Sequence, residues 1–561
     1  MKYLKRPEFQ FALLILFFFV INLCQGYFTR LFEDEAYYFV WSKDLAFGYF
    51  DHPPLVALWV KFSSFFFQNE LGVRFFSVLS FTVLLIMVWK LIEHPKKSEF
   101  VWLYFALIFS VAFLQVFGFI TTPDTPLLMF TALFFYFYKR FLVKVNWFSI
   151  IGLGLTMSGM LYSKYHGLLV IIFVVLSNLK LLTNFRFWTA VLIAFIAFTP
   201  HLFWQYQNDF PSIRYHLLER AKKPYSLDKT LLHFVNQIAI VGLTFPVVYA
   251  AFFKQKARNK FERALKFVWF GFFFFFLYST LNTTPQAQWT VVGLISLIVI
   301  TFPFFVENEQ WRKWLLILAG INFLVIIIAR ILLMAPSISP IELEPQWSEN
   351  WVEEVKEKTQ GKPLVFVNSY RGASIYNFYT GIKTHSYSIL KGRKSQYDLS
   401  HFEDHMQHEN VFAVGTLIEG TPAAKRNSSS DKWINIIPIE NYQTYQKLQC
   451  IIEIPSFELK ENERFEFSLV VKSIYPESVD WSNTVFFGVF QGEKNKILAK
   501  IPLIIESLPV LKQADTFLLS ASFIVPTIVE KEDVTFRVGL GFYDLPEGFQ
   551  GNKIPVEFIS K

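Results

Sequence analysis

Three consecutive carboxylates, Glu33-Asp34-Glu35, followed by Ala36-Tyr37-Tyr38, stand where the first apolar segment of the chain ends. A carboxylate within hydrogen-bond reach of an attacking hydroxyl acts as a general base and gains roughly 10²–10⁴-fold in rate. An acidic run is also an ordinary helix start, because the first turn of a helix favours negative charge. What tips the balance is a second acid in a similar setting. Thr121-Thr122-Pro123-Asp124-Thr125-Pro126 is a short loop between two apolar segments, and its prolines hold the backbone extended and fix where Asp124 points. Asp34 and Asp124, with Glu35 beside the first, are therefore the candidate catalytic acids.

Further polar loops supply candidate binding groups. Gly48-Tyr49-Phe50-Asp51-His52-Pro53-Pro54-Leu55 is a rigid proline turn, in which Asp51 and His52 are the candidate pair for a divalent cation or a phosphate. Ser163-Lys164-Tyr165-His166-Gly167 reads either as a hairpin with a snorkelling lysine or as a holder of lipid phosphate. The segment from Trp204 to His216 adds Arg214 and His216, for which solvated loop charges are the default. Thr284-Pro285-Gln286-Ala287-Gln288-Trp289 ends on an aromatic of the interface-anchor type. Lys164, His52, Arg214, His166, Tyr37, Tyr38 and Trp289 form the candidate substrate-binding set. Gly-rich phosphate loops, nucleotide signatures and Ser-His-Asp spacings do not occur, so no nucleotide cofactor is expected.

These loops need elements to hold them. Of 561 residues 53% are hydrophobic and 19% aromatic, with 68 Phe. The apolar residues gather in runs of about 20, long enough to cross about 30 Å of hydrocarbon. Eleven runs are expected, at roughly 8–28, 72–92, 100–120, 125–143, 147–163, 167–182, 187–205, 231–253, 265–281, 289–306 and 313–334, which makes a polytopic α-helical membrane protein. Lys2, Lys5 and Arg6, then Lys90 to Lys97, Lys139 to Lys144, Lys180 and Arg186, Lys254 to Lys266, and Arg312 and Lys313 mark alternate loops as cytoplasmic. The loops with Asp34, Asp51, Asp124, Lys164, Arg214 and Trp289 all fall on the opposite, extracytoplasmic side. The basic N-terminus resembles a signal peptide, but no small-x-small cleavage site follows Cys24, so an uncleaved first helix is expected. The net charge of +8 is spread over short loops, which favours anionic lipid over nucleic acid as a partner. Cys24 and Cys450 indicate neither a disulfide framework nor a cysteine metal site.

From about Ala335 the composition changes, with Pro336, Pro340 and Pro345 reading as a linker and no later run long enough to span. The expected domains are a transmembrane domain over 1–334, a small α/β region over 335–450 and a β-sandwich-like domain over 451–561. The α/β reading rests on apolar strands at Leu364–Val367 and Val411–Val414 with a helix-like Ala373–Tyr379. The sandwich reading rests on period-2 alternation at Phe465–Val471 and Thr535–Phe542, with strand-like Val485–Phe490 and Phe517–Val525 between them. An odd number of spans puts this tail on the extracytoplasmic side. Asn282-Thr283-Thr284 and Asn427-Ser428-Ser429 match the glycosylation sequon and carry no argument.

Asp34-Glu35-Ala36-Tyr37-Tyr38, Asp51-His52-Pro53-Pro54-Leu55, Thr122-Pro123-Asp124-Thr125-Pro126-Leu127, Gly159 to Gly167 around Lys164, and Gln288-Trp289 follow one another on one topological face. Together they resemble the bacterial membrane glycosyltransferases related to dolichyl-phosphate-mannose protein mannosyltransferases, a group that includes the lipid A aminoarabinose transferase. The resemblance covers residues 1 to about 334. It implies a C-type glycosyltransferase fold, a sugar donor on polyprenyl monophosphate, transfer on the outer face, a catalytic role for Asp34 and a matching place for Asp124. In the aminoarabinose branch an acid and a lysine precede the Pro-Pro pair, where this chain has Asp51 and His52.

The chemistry so implied is one in-line displacement with inversion, Asp34 taking the proton of an acceptor hydroxyl and Asp124 orienting or assisting. Lys164, Arg214, His52 or a bound divalent cation would stabilise the charge developing on the phosphate. The expected partners are a polyprenyl-phosphate-linked sugar, an acceptor glycan, lipid or protein, and the bilayer of a bacterial plasma membrane. A lipid-linked glycan flippase or transporter would instead place ionisable residues near the middle of its spans. A glycan polymerase or ligase would take a diphosphate-linked donor, and a non-catalytic scaffold would tolerate loss of Asp34.

Overall fold

The computed structural model describes residues 6–216, 225–427, 430–493, 496–511 and 515–559. Lys2 and Lys5, the 217–224 part of the long polar loop, and Ser428-Ser429 of the second sequon lie outside the described residues. The chain forms two compact units, Met1–Gln346 and Trp347–Lys561.

The first unit is helical. In order it contains α1 (Pro7–Phe28), α2 (Glu33–Lys43), α3 (Leu55–Ser64), α4 (Leu71–Leu91), α5 (Val101–Ser110), α6 (Ala112–Phe117), α7 (Asp124–Val143), α8 (Trp147–Ser163), α9 (Gly167–Ser177) and α10 (Phe185–Gln207). Then follow α11 (Pro211–Arg214), α12 (Leu227–Val241), α13 (Phe245–Lys254), α14 (Lys260–Ser279), α15 (Gly293–Glu307) and α16 (Glu309–Met334). Each of the eleven apolar runs carries helix, but three are interrupted. The run at 100–120 breaks at Val111 between α5 and α6, the run at 167–182 ends in a 3₁₀ turn, and the run at 231–253 breaks at Gly242–Thr244. By length and apolarity six helical stretches among the described residues suffice to cross a membrane, with α3, α8, α9 and α15 as shorter apolar helices.

Burial sorts these helices. Every residue of α15 from Gly293 to Val306 is buried, as befits a helix apolar on all sides and enclosed by others. By contrast α1, α10 and α16 expose Leu13, Phe17, Phe195, Ile196 and Leu324. Rows of large apolar side chains on helices whose backbones are internally satisfied are suited to lipid. A helix broken at membrane depth frees backbone groups that need partners. Asn322 of α16 supplies them for two breaks at once: its Nδ2 donates to the Ser110 carbonyl (2.8 Å) and its Oδ1 accepts the Leu243 N–H (3.3 Å). Gly242 lies at φ +77°, and a Cβ there would stand 2.7 Å from Asn322 Oδ1, so this break requires glycine.

The second unit contains α17 (Ser348–Lys358), β1 (Leu364–Val367), α18 (Tyr370–Thr380), β2 (Thr384–Tyr387), β3 (Val411–Gly415), β4 (Thr421–Lys425) and β5 (Trp433–Ile439). These strands form one sheet in the order β2-β1-β3-β5-β4, with β1 parallel to both β2 and β3. There follow β6 (Gln449–Ile451), β7 (Phe457–Leu459), β8 (Arg464–Lys472), β9 (Thr484–Gln491), β10 (Ile497–Pro502), β11 (Ile504–Ile505), β12 (Thr516–Ile524), β13 (Thr535–Phe542) and β14 (Ile554–Phe558). They pair as β10-β9-β13-β14-β7 and β11-β12-β8-β6. The two sheets share a core in which Phe523 of β12 stacks on Phe536 of β13 at 5.1 Å and Phe467 of β8 meets Phe536 at 5.7 Å. Inward aromatics alternating with outward polar residues make this layer, as expected for a sandwich.

Candidate active site

Glu35 sits at the start of α2 and is fully buried with Arg74 of α4. Arg74 Nε donates to Glu35 Oε1 at 2.8 Å and its Nη2 donates to Oε2. The carboxylate also accepts the Thr121 N–H (2.9 Å) and the Phe32 N–H (3.1 Å). The rest of the guanidinium donates to the carbonyls of Gly26, Thr29 and Arg30. One ion pair therefore ties the end of α1, the starts of α2 and α4, and the loop that leads into α7. Charge-assisted, two-pronged bonds of this kind are both strong and geometrically exact. Glu35, a candidate catalytic acid by sequence, has both oxygens engaged in this clamp. Asp34, its neighbour on the first turn of α2, is half-buried instead.

Asp124 is the first residue of α7 and Lys164 follows the last turn of α8. Both are buried, and Lys164 Nζ donates to the two carboxylate oxygens at 2.9 and 2.8 Å. The lysine expected to meet phosphate on its own thus carries a counter-charge. Asp124 follows by three residues Thr121, whose N–H the Glu35 carboxylate accepts, so this second pair lies at the same end of the helices as the clamp.

A third network fixes the first loop against the end of α10. His201 Nδ1 faces the Phe47 carbonyl at 2.6 Å, so that nitrogen is the donor and Nε2 accepts from the Tyr165 hydroxyl at 3.0 Å. Gln205 Nε2 donates to Tyr165 Oη and to Ser212 Oγ, each at 2.9 Å, and Ser212 donates to the Tyr49 carbonyl at 2.9 Å. Burial pushes the Tyr165 phenol up to about 12, which keeps it a proton donor. His216 Nε2 donates to the Asp51 carbonyl at 2.8 Å, with its ring 5.9 Å from that of His52.

The other candidates separate. Tyr37 and Tyr38 are buried, each with its ring edge-on to Trp41 at 4.9 and 5.0 Å, so they are core aromatics and not open faces for a sugar. Tyr38 also lies 6.5 Å from His52, one helical turn on from Asp34. His166 packs on Phe276 and Trp289, at 5.2 and 5.7 Å. Arg214, on the short α11, is exposed and makes no ion pair or side-chain hydrogen bond among the described residues. For the metal expectation at Asp51 and His52, no group of three or more His, Cys, Asp or Glu side chains that could hold a cation occurs among the described residues.

Two arginines emerge that loop-by-loop reading passes over. Arg74 lies inside the 72–92 run and Arg330 inside the 313–334 run, where a single charge is averaged away; an ionisable residue inside a span is itself the signal. Arg330 is 5% exposed, and its Nη2 donates to Asn22 Oδ1 (2.8 Å) and the Gln115 carbonyl (3.0 Å). Its Nε and Nη1 are buried without a hydrogen-bond partner, and it has no carboxylate partner among the described residues. The guanidinium groups of Arg330 and Arg74 stand 5.4 and 5.9 Å from the Phe119 ring.

Comparison with known proteins gives this arrangement a context. Residues 51–204 match the sequence model of the family described as dolichyl-phosphate-mannose-protein mannosyltransferase. The lipid A galacturonosyltransferase RgtD of Rhizobium johnstonii is 24% identical over 313 residues, which is 52% of this chain and 64%, just under two thirds, of that relative. The crystal structure of ArnT from Cupriavidus metallidurans in the apo state superposes with a TM-score of 0.54 at 11% identity, covering 76% of this chain and 97% of ArnT. The same protein bound to undecaprenyl phosphate gives a TM-score of 0.52 at 12% identity over the same shares. The fold is thus the C-type glycosyltransferase membrane fold with a sheet-rich tail.

Proposed function

The chain groups by sequence and by fold with the mannosyltransferase-like and ArnT-like membrane proteins, and from this premise we propose that it is a glycosyltransferase of the bacterial plasma membrane. It moves a sugar from a polyprenyl monophosphate to an acceptor hydroxyl on the extracytoplasmic face. The N-terminus lies in the cytoplasm and the tail outside, a reading supported by the Lys and Arg bias of alternate loops. The observation that carries the catalytic part is the unequal treatment of two adjacent acids. Glu35 is consumed in the clamp, while Asp34, on the same helical turn, is half-buried and held at a fixed place by it.

The reaction is a single displacement. The acceptor oxygen attacks the anomeric carbon while its proton passes to Asp34, and the bond from that carbon to the phosphate oxygen breaks with its electron pair left on polyprenyl phosphate. Positive charge near the leaving group favours that departure. Lys164 spends two of its three N–H groups on Asp124 and keeps the third for a phosphate oxygen. Asp124 is a positioning residue in this reading. Arg330 adds charge that no carboxylate among the described residues cancels. In this reading His52, His166, Trp289 and Arg214 serve the approach of donor or acceptor.

The test is donor choice. Protein reconstituted in vesicles should consume sugar linked to undecaprenyl monophosphate, release the monophosphate and form a product of inverted anomeric configuration. Consumption of only a diphosphate-linked donor would make it a polymerase or ligase, and movement of the lipid-linked sugar across the bilayer without cleavage would make it a transporter.

A further inference from the structure

We propose that the second unit carries a ligand site of its own, for a small saccharide bearing a phosphate or carboxylate, in the cavity at the carboxyl ends of β1 and β2. The cavity has a volume of about 220 Å³ and is lined by Asn368, Tyr370, Ser386, Ser388, Gly392 and Arg393. In the order β2-β1-β3, with all three strands parallel, the chain leaves β1 toward one neighbour and enters the other from the far side. That reversal falls between β1 and β3, next to the cavity and not at it; what the cavity shares with ligand sites of open α/β sheets is its place outside the carboxyl ends of parallel strands. The inference is independent of the chemistry in the membrane unit.

Three features of the walls point to an anion with hydroxyls attached. Tyr370 opens α18 at the edge of the cavity. Arg393 is held over the same residue: its Nη2 donates to Tyr370 Oη and its guanidinium carbon stands 4.6 Å from the ring. A guanidinium fixed in this way suits a planar or tetrahedral oxyanion. Ser386 is only 2% exposed, lines the cavity, and its hydroxyl makes no hydrogen bond among the described residues. Its hydroxyl is thus left to pair with whatever occupies the cavity. Ser388 gives its own proton to Asp398 at 2.8 Å, so toward the cavity it offers a lone pair, which suits the O–H of a sugar and not a bare anion.

The local backbone is shaped to leave this space. Asn368 lies at φ +56°, a conformation its side-chain type tolerates. A Cβ on Gly392 would stand 1.7 Å from Asn368 Oδ1, so any larger residue there would displace the Asn368 side chain from the wall.

The test is hydrogen exchange of the full chain in detergent, titrated with a hexose 1-phosphate, a hexuronate, inorganic phosphate and a neutral hexose. One of the two acidic sugars should slow exchange over 368–374 and 386–393, which distinguishes phosphate from carboxylate, while the neutral hexose should not. Arg393→Gln should raise the half-saturating concentration at least tenfold and Ser386→Ala severalfold, with exchange in β8 and β12 unchanged as the check on folding. Protection by inorganic phosphate at the same concentrations would overturn the saccharide assignment. Absence of protection by every anion, or an Arg393→Gln titration equal to wild type, would overturn the site.

Discussion

Glu35 spends both of its oxygens on Arg74 and two amides, so a change at either end of that pair is expected as a folding defect before it is a kinetic one. Breaking a buried pair by removing one partner leaves an uncompensated charge and costs about 3–5 kcal/mol. Glu35→Gln and Arg74→Met should each lower the yield of folded protein and its denaturation midpoint in detergent, and the double variant should recover part of the loss. A double variant as damaged as the sum of the singles would remove the clamp from the account. The sequence could not separate Asp34 from Glu35, because the two carry the same group one residue apart. What separates them is Arg74, a contact 39 residues along the chain that sits within an apolar run. The same holds for Lys164. Its candidacy was legible from a polar residue in a short hairpin, but its partner, 40 residues earlier, is set by how α7 and α8 pack.

At the scale of elements, length and apolarity located helix in all eleven runs because lipid imposes so simple a rule. The interruptions were harder to read. The break at Gly242 has a glycine at it, whereas the break at Val111 has no proline or glycine and depends on Asn322, more than 200 residues later, to donate to its freed Ser110 carbonyl. Asn322→Leu should therefore destabilise the first unit by roughly 1–3 kcal/mol for each backbone group left without a partner. Faster hydrogen exchange at Leu243 is the measurement; exchange unchanged there would mean that the breaks support themselves. In the second unit β8 and β13 were legible from alternation, since each turns one face to a shared core, and β9 and β12 as strand-like runs between them. The short β4, β6, β7 and β11 were not, because two to five residues carry too little pattern.

Across the whole molecule the two units answer to different solvents, and the second has a pH response of its own. Glu403 is buried and accepts from the Gln446 N–H (2.8 Å), the Thr444 hydroxyl (3.1 Å) and the Tyr475 hydroxyl (2.7 Å), yet burial pushes its carboxyl up to about 7 from 4.5. The folded state keeps this proton where an unfolded chain releases it. Its contribution is complete below about 4.5 and is lost as pH rises through about 7, a change of roughly 3 kcal/mol. Burial holds the His385 imidazole down to about 4 from 6.5, so its contribution runs the other way and is lost as pH falls through that window. Comparing Glu403→Gln with wild type isolates the first group. The variant should match wild type near pH 4.5 and gain on it up to pH 8, read as hydrogen exchange within the second unit; a difference that does not change with pH would contradict the assignment. The central claim, that this is a lipid-linked sugar transferase with Asp34 as its base, concerns the membrane unit. It is tested most directly by single-turnover transfer of a labelled sugar from undecaprenyl monophosphate, with Asp34→Asn beside wild type and donor binding measured on both. The expected result is donor binding within about twofold of wild type and a transfer rate lower by roughly 10²–10⁴-fold. A variant that binds donor and transfers at the wild-type rate would contradict the account.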